Sequence, residues 1–199
     1  YWEVPVVDGL ETIPTSDEIK HLGAAMASYG STPLFHLVGI TPEAPTLEAV
    51  GGEALGATEV AEVQLNAFRS SFGGRGDKVD VVVFAAPQLS LVEMQQVADL
   101  CAGRKVHSDT AMIACTSPSI YYEAKRLGLV ETIESAGGKV LEGTCFYNQY
   151  AREIGEANGW TRLLSNSAKI VNILGGYGYQ PALASMETCV ASACAGEIV

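Results

Sequence analysis

A three-layer αβα arrangement around a mainly parallel sheet is the fold class that this sequence predicts. Two apolar runs, residues 79–86 and 111–116, are each followed by a helix-start signature and an amphipathic stretch. Strand, loop and helix in repeated succession imply parallel strands covered by helices. A chain of 199 residues that is 48% hydrophobic and 18% charged can bury the core this needs.

The elements follow in order. Residues 15–28 open with Ser16, Asp17 and Glu18, an N-cap with an acidic first turn, and continue through Ile19, Leu22, Ala25 and Met26 at helical spacing, with Gly30 as the stop. Residues 33–39 are a short apolar run that reads as a buried strand, with 40–45 as its exit loop. Residues 48–77 hold Gly51 and Gly52, a helical stretch near 59–68 and a turn through Gly73, Gly74 and Gly76. That turn carries neither the Lys-Ser/Thr of a phosphate loop nor dinucleotide spacing, so it reads as surface.

The run 79–86 is rich in valine and ends at Pro87; Ser90 and Glu93 then form a capping box that opens a helix to about Ala102. The same order repeats in 111–116, where Ser117 and Pro118 place proline at a helix start and an amphipathic helix runs to about Leu127. After Gly128 come a helix near 130–136, a stop at Gly137 and Gly138, a strand at 139–141 and a loop at 143–145. The tail reads as a strand at 162–165, a turn at 165–169, a glycine-rich loop at 175–178 and a helix from Ser185 to the end. This predicts two subdomains, 1–128 and 129–199.

Composition excludes several functions. The formal charge is −11, from 12 Lys+Arg against 23 Asp+Glu, and the basic residues are scattered, so nucleic acid is not an expected partner. The longest apolar stretch, around 81–86, falls far short of the roughly 20 residues that span a bilayer, and no membrane partner is expected. Five cysteines without Cys-x-x-Cys spacing make a poor disulfide framework and point to a reducing, cytoplasmic compartment. The start at Tyr1 has neither a basic opening nor a long apolar run, which predicts a piece of a longer polypeptide.

Three features can carry chemistry: His36 with Thr41 and Glu43, Cys145 with Ser165, Asn166, Ser167 and Lys169, and Cys189 just inside the helix opened by Ser185. Each lies near a predicted strand end or helix start, where open α/β sheets bind ligands. The ordinary roles stand beside these. Cysteine is among the most buried residue types, so each of the five, Cys101, Cys115, Cys145, Cys189 and Cys194, reads first as packing, and a histidine in an apolar strand is by default a hydrogen-bonded core residue.

The stretch from Gly30 through Phe35, His36, Gly39, Thr41, Pro42, Glu43, Ala44, Pro45 and Thr46 resembles the glycine to Phe-His-x-x-Gly-x-Thr-Pro-Glu-Ala-Pro-Thr signature of the aconitase X family. Further matches follow in Pro87 to Ser90, Thr116-Ser117, Thr144-Cys145, Ser165 to Lys169, and Ser185 with Cys189 and Gly196, so the resemblance covers nearly the whole chain. It implies an aconitase-like fold and the C-terminal half of a large catalytic subunit.

The resemblance also implies an iron–sulfur cluster (2Fe-2S or 4Fe-4S) held by three cysteines, two of them Cys145 and Cys189. The third ligand is expected from the remaining half of the large subunit, and a small swivelling subunit or domain completes the site. The implied reaction is a hydro-lyase step on a small hydroxy acid: dehydration of cis-3-hydroxy-L-proline is preferred, and phosphomevalonate dehydration is the alternative. His36, Glu43 and Lys169 are the expected catalytic residues; Thr41, Ser165, Asn166, Ser167 and Ser185 are expected to bind substrate. Where family members often carry Cys-Pro-His, this chain has Ala86, Pro87 and Gln88. That departure keeps open a non-catalytic binding or assembly module, and Cys145 as a nucleophile is a further alternative.

Overall fold

The computed structural model describes residues 3–52 and 56–199, and the chain divides into two compact units, 1–65 and 66–199. The division does not fall after residue 128, because the helices on either side of Gly128 cover one and the same sheet.

In the first unit, β1 (Val6–Val7) and β2 (His36–Leu37) pair in parallel, with Val6 opposite His36. Between them runs α1 (Ser16–Gly30). Its cap is Thr15 rather than Ser16: the Thr15 hydroxyl accepts from the Glu18 N–H, and the Thr15 N–H donates to the Glu18 carboxylate at 2.7 Å. The helix runs through Gly30, and Ser31 takes the left-handed conformation that ends it, with φ 51°. The expected strand at 33–39 shrinks to two residues, because the chain turns at once: Thr41 N–H bonds the Leu37 carbonyl and Gly39 N–H bonds that of Ala44. α2 (Glu62–Ser70) follows, later than expected, and crosses the division between the units.

The second unit is built on five parallel strands in the order β5-β4-β3-β6-β7. In chain order these are β3 (Val81–Leu89), α3 (Leu91–Cys101), β4 (Ala111–Thr116), α4 (Pro118–Arg126), α5 (Leu129–Ser135), β5 (Lys139–Glu142), α6 (Ala151–Asn158), β6 (Arg162–Ser165), α7 (Ala168–Leu174), β7 (Gln180–Leu183) and α8 (Met186–Ala195). Alternate residues of β3 serve two cores. Val82 and Phe84 pack with Met94, Val97, Ile133 and Val190 of α3, α5 and α8. Val81, Val83 and Ala85 pack with Phe146, Ile170, Leu174 and Tyr179 on the α6 and α7 face. These are the three layers that the sequence predicts.

Capping follows the local sequence. Ser90 and Glu93 form the full capping box of α3, Ser117 caps α4 with Pro118 in its first turn, and Ser185 caps α8. Three helices and strands of the second unit were not expected, α6, α7 and β7, nor was β1 in the first. α6 starts from Tyr150 in the left-handed region with no side-chain cap, so it carries no start signal. β7 contains Pro181, which a sheet tolerates at an edge, and β7 is the edge strand next to β6. The 165–169 segment is a turn that becomes a helix: the Ser167 hydroxyl accepts from the Ile170 N–H and caps α7.

From β3 the chain proceeds outward through β4 to β5, then returns across the sheet to β6 on the other side of β3. α3 leaves β3 on one face and α7 leaves β6 on the other. The carboxyl ends of β3 and β6 therefore flank the topological switch point, where open α/β sheets form their ligand crevice.

Candidate functional site

Near that switch point β3 bulges at Ala86, Pro87 and Gln88 before it pairs with β4 again at Leu89. The register with β4 shifts between Phe84 and Leu89, the Ala86–Pro87 peptide is cis, and Ala86 has φ 45°. Two serines of the β6 exit brace this segment. Ser165 Oγ donates to the Val83 carbonyl at 2.6 Å and accepts from the Ser167 N–H; Ser167 Oγ donates to the Ala86 carbonyl at 2.6 Å. They are 0% and 1% exposed. Their hydroxyls, expected to bind substrate, are engaged by backbone and instead hold the crevice walls together. Asn166, between them, keeps an open polar atom: its Oδ1 is buried with no hydrogen-bond partner among the described residues.

Cys145 lies on the opposite wall, in the loop after β5, half-buried against the α7-side core. Burial pushes its thiol pKa up, opposed by the backbone N–H groups of Tyr147, Ala86 and Phe146 at its sulfur and by the positive charge of Lys169. The same loop is tied to β3 by Gln88 Nε2, which donates to the Thr144 carbonyl at 2.8 Å. Thr144 Oγ1 is a second buried polar atom without a partner among the described residues. Cys115, in β4, is fully buried beside Cys145 and is pushed up to about 12 by burial and by the neighbouring sulfur. Lys169 is thus near enough for its charge to act on the Cys145 thiol, and Gln88 ties the Thr144–Cys145 loop to β3.

Cys189 is placed otherwise. It sits in the first turn of α8, 0% exposed, in the core on the α3 and α8 face, with Ala184 O at 3.9 Å from its sulfur. Burial, then the charge of Glu187, raises its pKa well above the usual thiol range. Ser185 Oγ is engaged by the N–H of Thr188 at the start of α8. Cys145 and Cys189 therefore pack in different layers, and among the described residues no three His, Cys, Asp or Glu side chains are grouped to hold a metal ion.

An iron–sulfur cluster can be tested against these donors. Cys145 fits a ligand role in one respect: it lies in a loop at a strand end and its sulfur is only half-buried, so it is reachable. Cys189 fits only if its thiol leaves the packing it has here.

The first-unit candidates form a separate local structure. His36 N–H bonds the Pro5 carbonyl, while His36 Nδ1 is buried with no partner among the described residues. Thr41 Oγ1 accepts from the Leu37 N–H at 3.1 Å and so serves the turn, and Glu43 is exposed. Elsewhere, a groove of about 610 Å³ between the end of α3 and α5, lined by Arg104, Lys105, Glu131 and Thr132, lies in a helix layer away from the strand exits. No helix among the described residues is long and apolar enough to cross a membrane.

Comparison with known proteins bears on this arrangement. Residues 79–195 match the Aconitase X third domain and residues 2–73 the Aconitase X second domain. The chain is 33% identical to cis-3-hydroxy-L-proline dehydratase of Pseudomonas aeruginosa over 98% of its length and 34% of that protein's. It is 33% identical to the phosphomevalonate dehydratase large subunit of Methanothermobacter thermautotrophicus, over 82% of this chain and 39% of the relative. The crystal structure of holo-form aconitase X from Thermococcus kodakaraensis superposes with a TM-score of 0.76 at 25% identity, covering 96% of this chain and 47% of that one. The chain thus spans roughly a third to a half of the length of these relatives.

Proposed function

The chain belongs to the aconitase X family, and from that premise we propose that it is part of a hydro-lyase that removes water from a small hydroxy acid, cis-3-hydroxy-L-proline in preference to phosphomevalonate. The observation that carries this reading is that Cys145, Thr144, Asn166 and Lys169 all lie in the segments that follow β5 and β6, beside the β3 bulge. Two of these four present buried polar atoms that lack partners among the described residues. A small ligand with its own donors and acceptors would satisfy such atoms.

In this reading Lys169 holds the substrate carboxylate, and Thr144 Oγ1 and Asn166 Oδ1 orient the hydroxyl and the ring nitrogen. Asn166 Oδ1, as an acceptor, suits a protonated amine, which hydroxyproline has and phosphomevalonate lacks. The reaction removes the proton from the carbon beside the carboxylate; that C–H pair becomes the new C=C bond as the neighbouring C–O bond breaks, and the hydroxyl leaves as water. Cys145 would hold an iron–sulfur cluster, and when bound the cluster supplies a Lewis acid for the departing hydroxyl. The other ligands, the rest of the large subunit and a small subunit or domain belong to the complete assembly, which we place in the cytoplasm. A relative named as a large subunit supports the existence of such a partner.

The deciding experiment reconstitutes the complete assembly anaerobically with iron and sulfide and offers both substrates. Turnover of hydroxyproline, lost together with the brown chromophore in Cys145→Ser, is expected. A cluster-loaded assembly that dehydrates neither substrate would sink the proposal in favour of a binding or assembly module.

A further inference from the structure

The β3 exit carries a backbone feature that the reaction as proposed leaves unused. Ala86 is a non-glycine residue at φ 45°, a conformation that an L side chain seldom holds unless its surroundings impose it. The contacts that impose it are specific. Ser167 Oγ donates to the Ala86 carbonyl at 2.6 Å, and the Ala86 backbone lies near enough to act on the Cys145 thiol. Two residues on, the Gln88 amide reaches across 56 positions of sequence to the Thr144 carbonyl at 2.8 Å, at the peptide that precedes Cys145.

From this geometry we infer that Gln88 and Ser167 are positioning residues for Cys145: they pin the Ala86–Gln88 segment between the β6–α7 turn and the Cys145 loop, and so fix where that loop holds the sulfur. The inference rests on the reading of Cys145 as a functional sulfur. Neither side chain needs to touch substrate. Ser167 fixes the plane of the peptide that follows Ala86, and Gln88 fixes the distance between the strand exit and the loop. Groups that orient a metal ligand from behind tune whatever metal it binds. In this chain an amide donor holds the loop.

The test uses the complete protein with its small subunit and compares Gln88→Leu, Gln88→Glu, Ser167→Ala and Ser167→Thr. Leu and Glu both lack the N–H that reaches Thr144, while Glu keeps the length of the side chain. Thr keeps the hydroxyl, so Ser167→Thr should restore what Ser167→Ala loses. Expected are a changed reduction potential and electron paramagnetic resonance signal of the reconstituted cluster, and a fall in kcat of about tenfold or more with KM little altered. Because Ser167 also caps α7, the Gln88 pair guards against a result that reflects folding alone. Gln88 variants whose cluster signal, potential and kcat all match the parent, with or without a lower melting temperature, overturn the inference. If Cys145→Ser abolishes the cluster while those variants remain unchanged, the proposed function stands and only the positioning role falls. If Cys145→Ser keeps both cluster and turnover, the proposed role of Cys145 falls, and the positioning role with it.

Discussion

The carboxylate of Asp80 accepts the backbone N–H of Arg162 at 2.8 Å and that of Thr161 at 2.9 Å, joining the amino ends of β3 and β6 from 82 and 81 residues apart. Asp80 is 5% exposed and also meets Lys78 at 2.8 Å. Burial alone would raise its pKa, but the Lys78 ammonium and the N–H groups of Arg162 and Thr161 hold it down at about 2.

A pH dependence of stability follows from that depressed value. The folded pKa lies below the unfolded one, so the contribution is present above about pH 4 and is lost as pH falls toward 2. Its size is on the order of 2 kcal/mol. Asp80→Asn should lower the urea midpoint at pH 7 and flatten the difference between pH 7 and pH 3. An unchanged midpoint at pH 7 would contradict the role given to this carboxylate.

At the other end of the same strand, the capping box of α3 makes a smaller claim. Ser90 Oγ accepts from the Glu93 N–H at 3.1 Å, and the Glu93 carboxylate accepts from the Ser90 N–H at 2.8 Å. Ser90→Ala should cost about 1 kcal/mol, read as a lower melting temperature with the fold retained.

Gly155 faces Tyr179 with no room for a side chain. A Cβ there would lie 2.7 Å from the tyrosine oxygen and 2.9 Å from its ring carbon, and that hydroxyl donates to the Ala151 carbonyl at 2.7 Å. Gly155→Ala should therefore destabilise by about 1–3 kcal/mol, despite the better helix propensity of alanine. Denaturant unfolding with an unchanged m-value measures this, and a gain in stability would show that Tyr179 yields freely.

The cysteines should react in two classes. Cys145 and Cys194 are half-buried, whereas Cys101, Cys115 and Cys189 are buried. Native alkylation followed by mass spectrometry should label the first pair before the second group, slowly at pH 7 and faster as pH rises, because burial raises both thiols of the pair. Rapid labelling of Cys145 at pH 7 would instead favour the nucleophile reading. Cys189→Ser should cost stability on the order of 1–3 kcal/mol, since a hydroxyl would enter an apolar core.

The candidate residues were legible in the sequence to different degrees, and the difference is physical. Cys145 and Lys169 were named from motifs, and the fold sets them near each other. Ser165 and Ser167 were named from the same motif as substrate ligands, yet their hydroxyls bond Val83 and Ala86, more than 80 residues earlier. No local pattern encodes a partner that distant. Gln88 was noted only as a departure from the family pattern; its bond to Thr144 gives it a role that spacing could not suggest. Cys189 was paired with Cys145 by resemblance, while the packing assigns the two to different faces of the sheet.

By itself the sequence determined what depends on neighbours within a few positions. The valine-rich run of β3, the β4 strand at Ala111–Thr116, and the caps at Ser90, Ser117 and Ser185 all rest on side chains meeting their own backbone or on alternation along a strand. Only the tertiary structure decided which strand lies beside which, that Pro181 sits on an edge strand, and that the chain reverses between β3 and β6 to open a crevice there. Those outcomes depend on burying two faces of one sheet at once, a constraint that acts across the whole chain and leaves no trace in any short window of it.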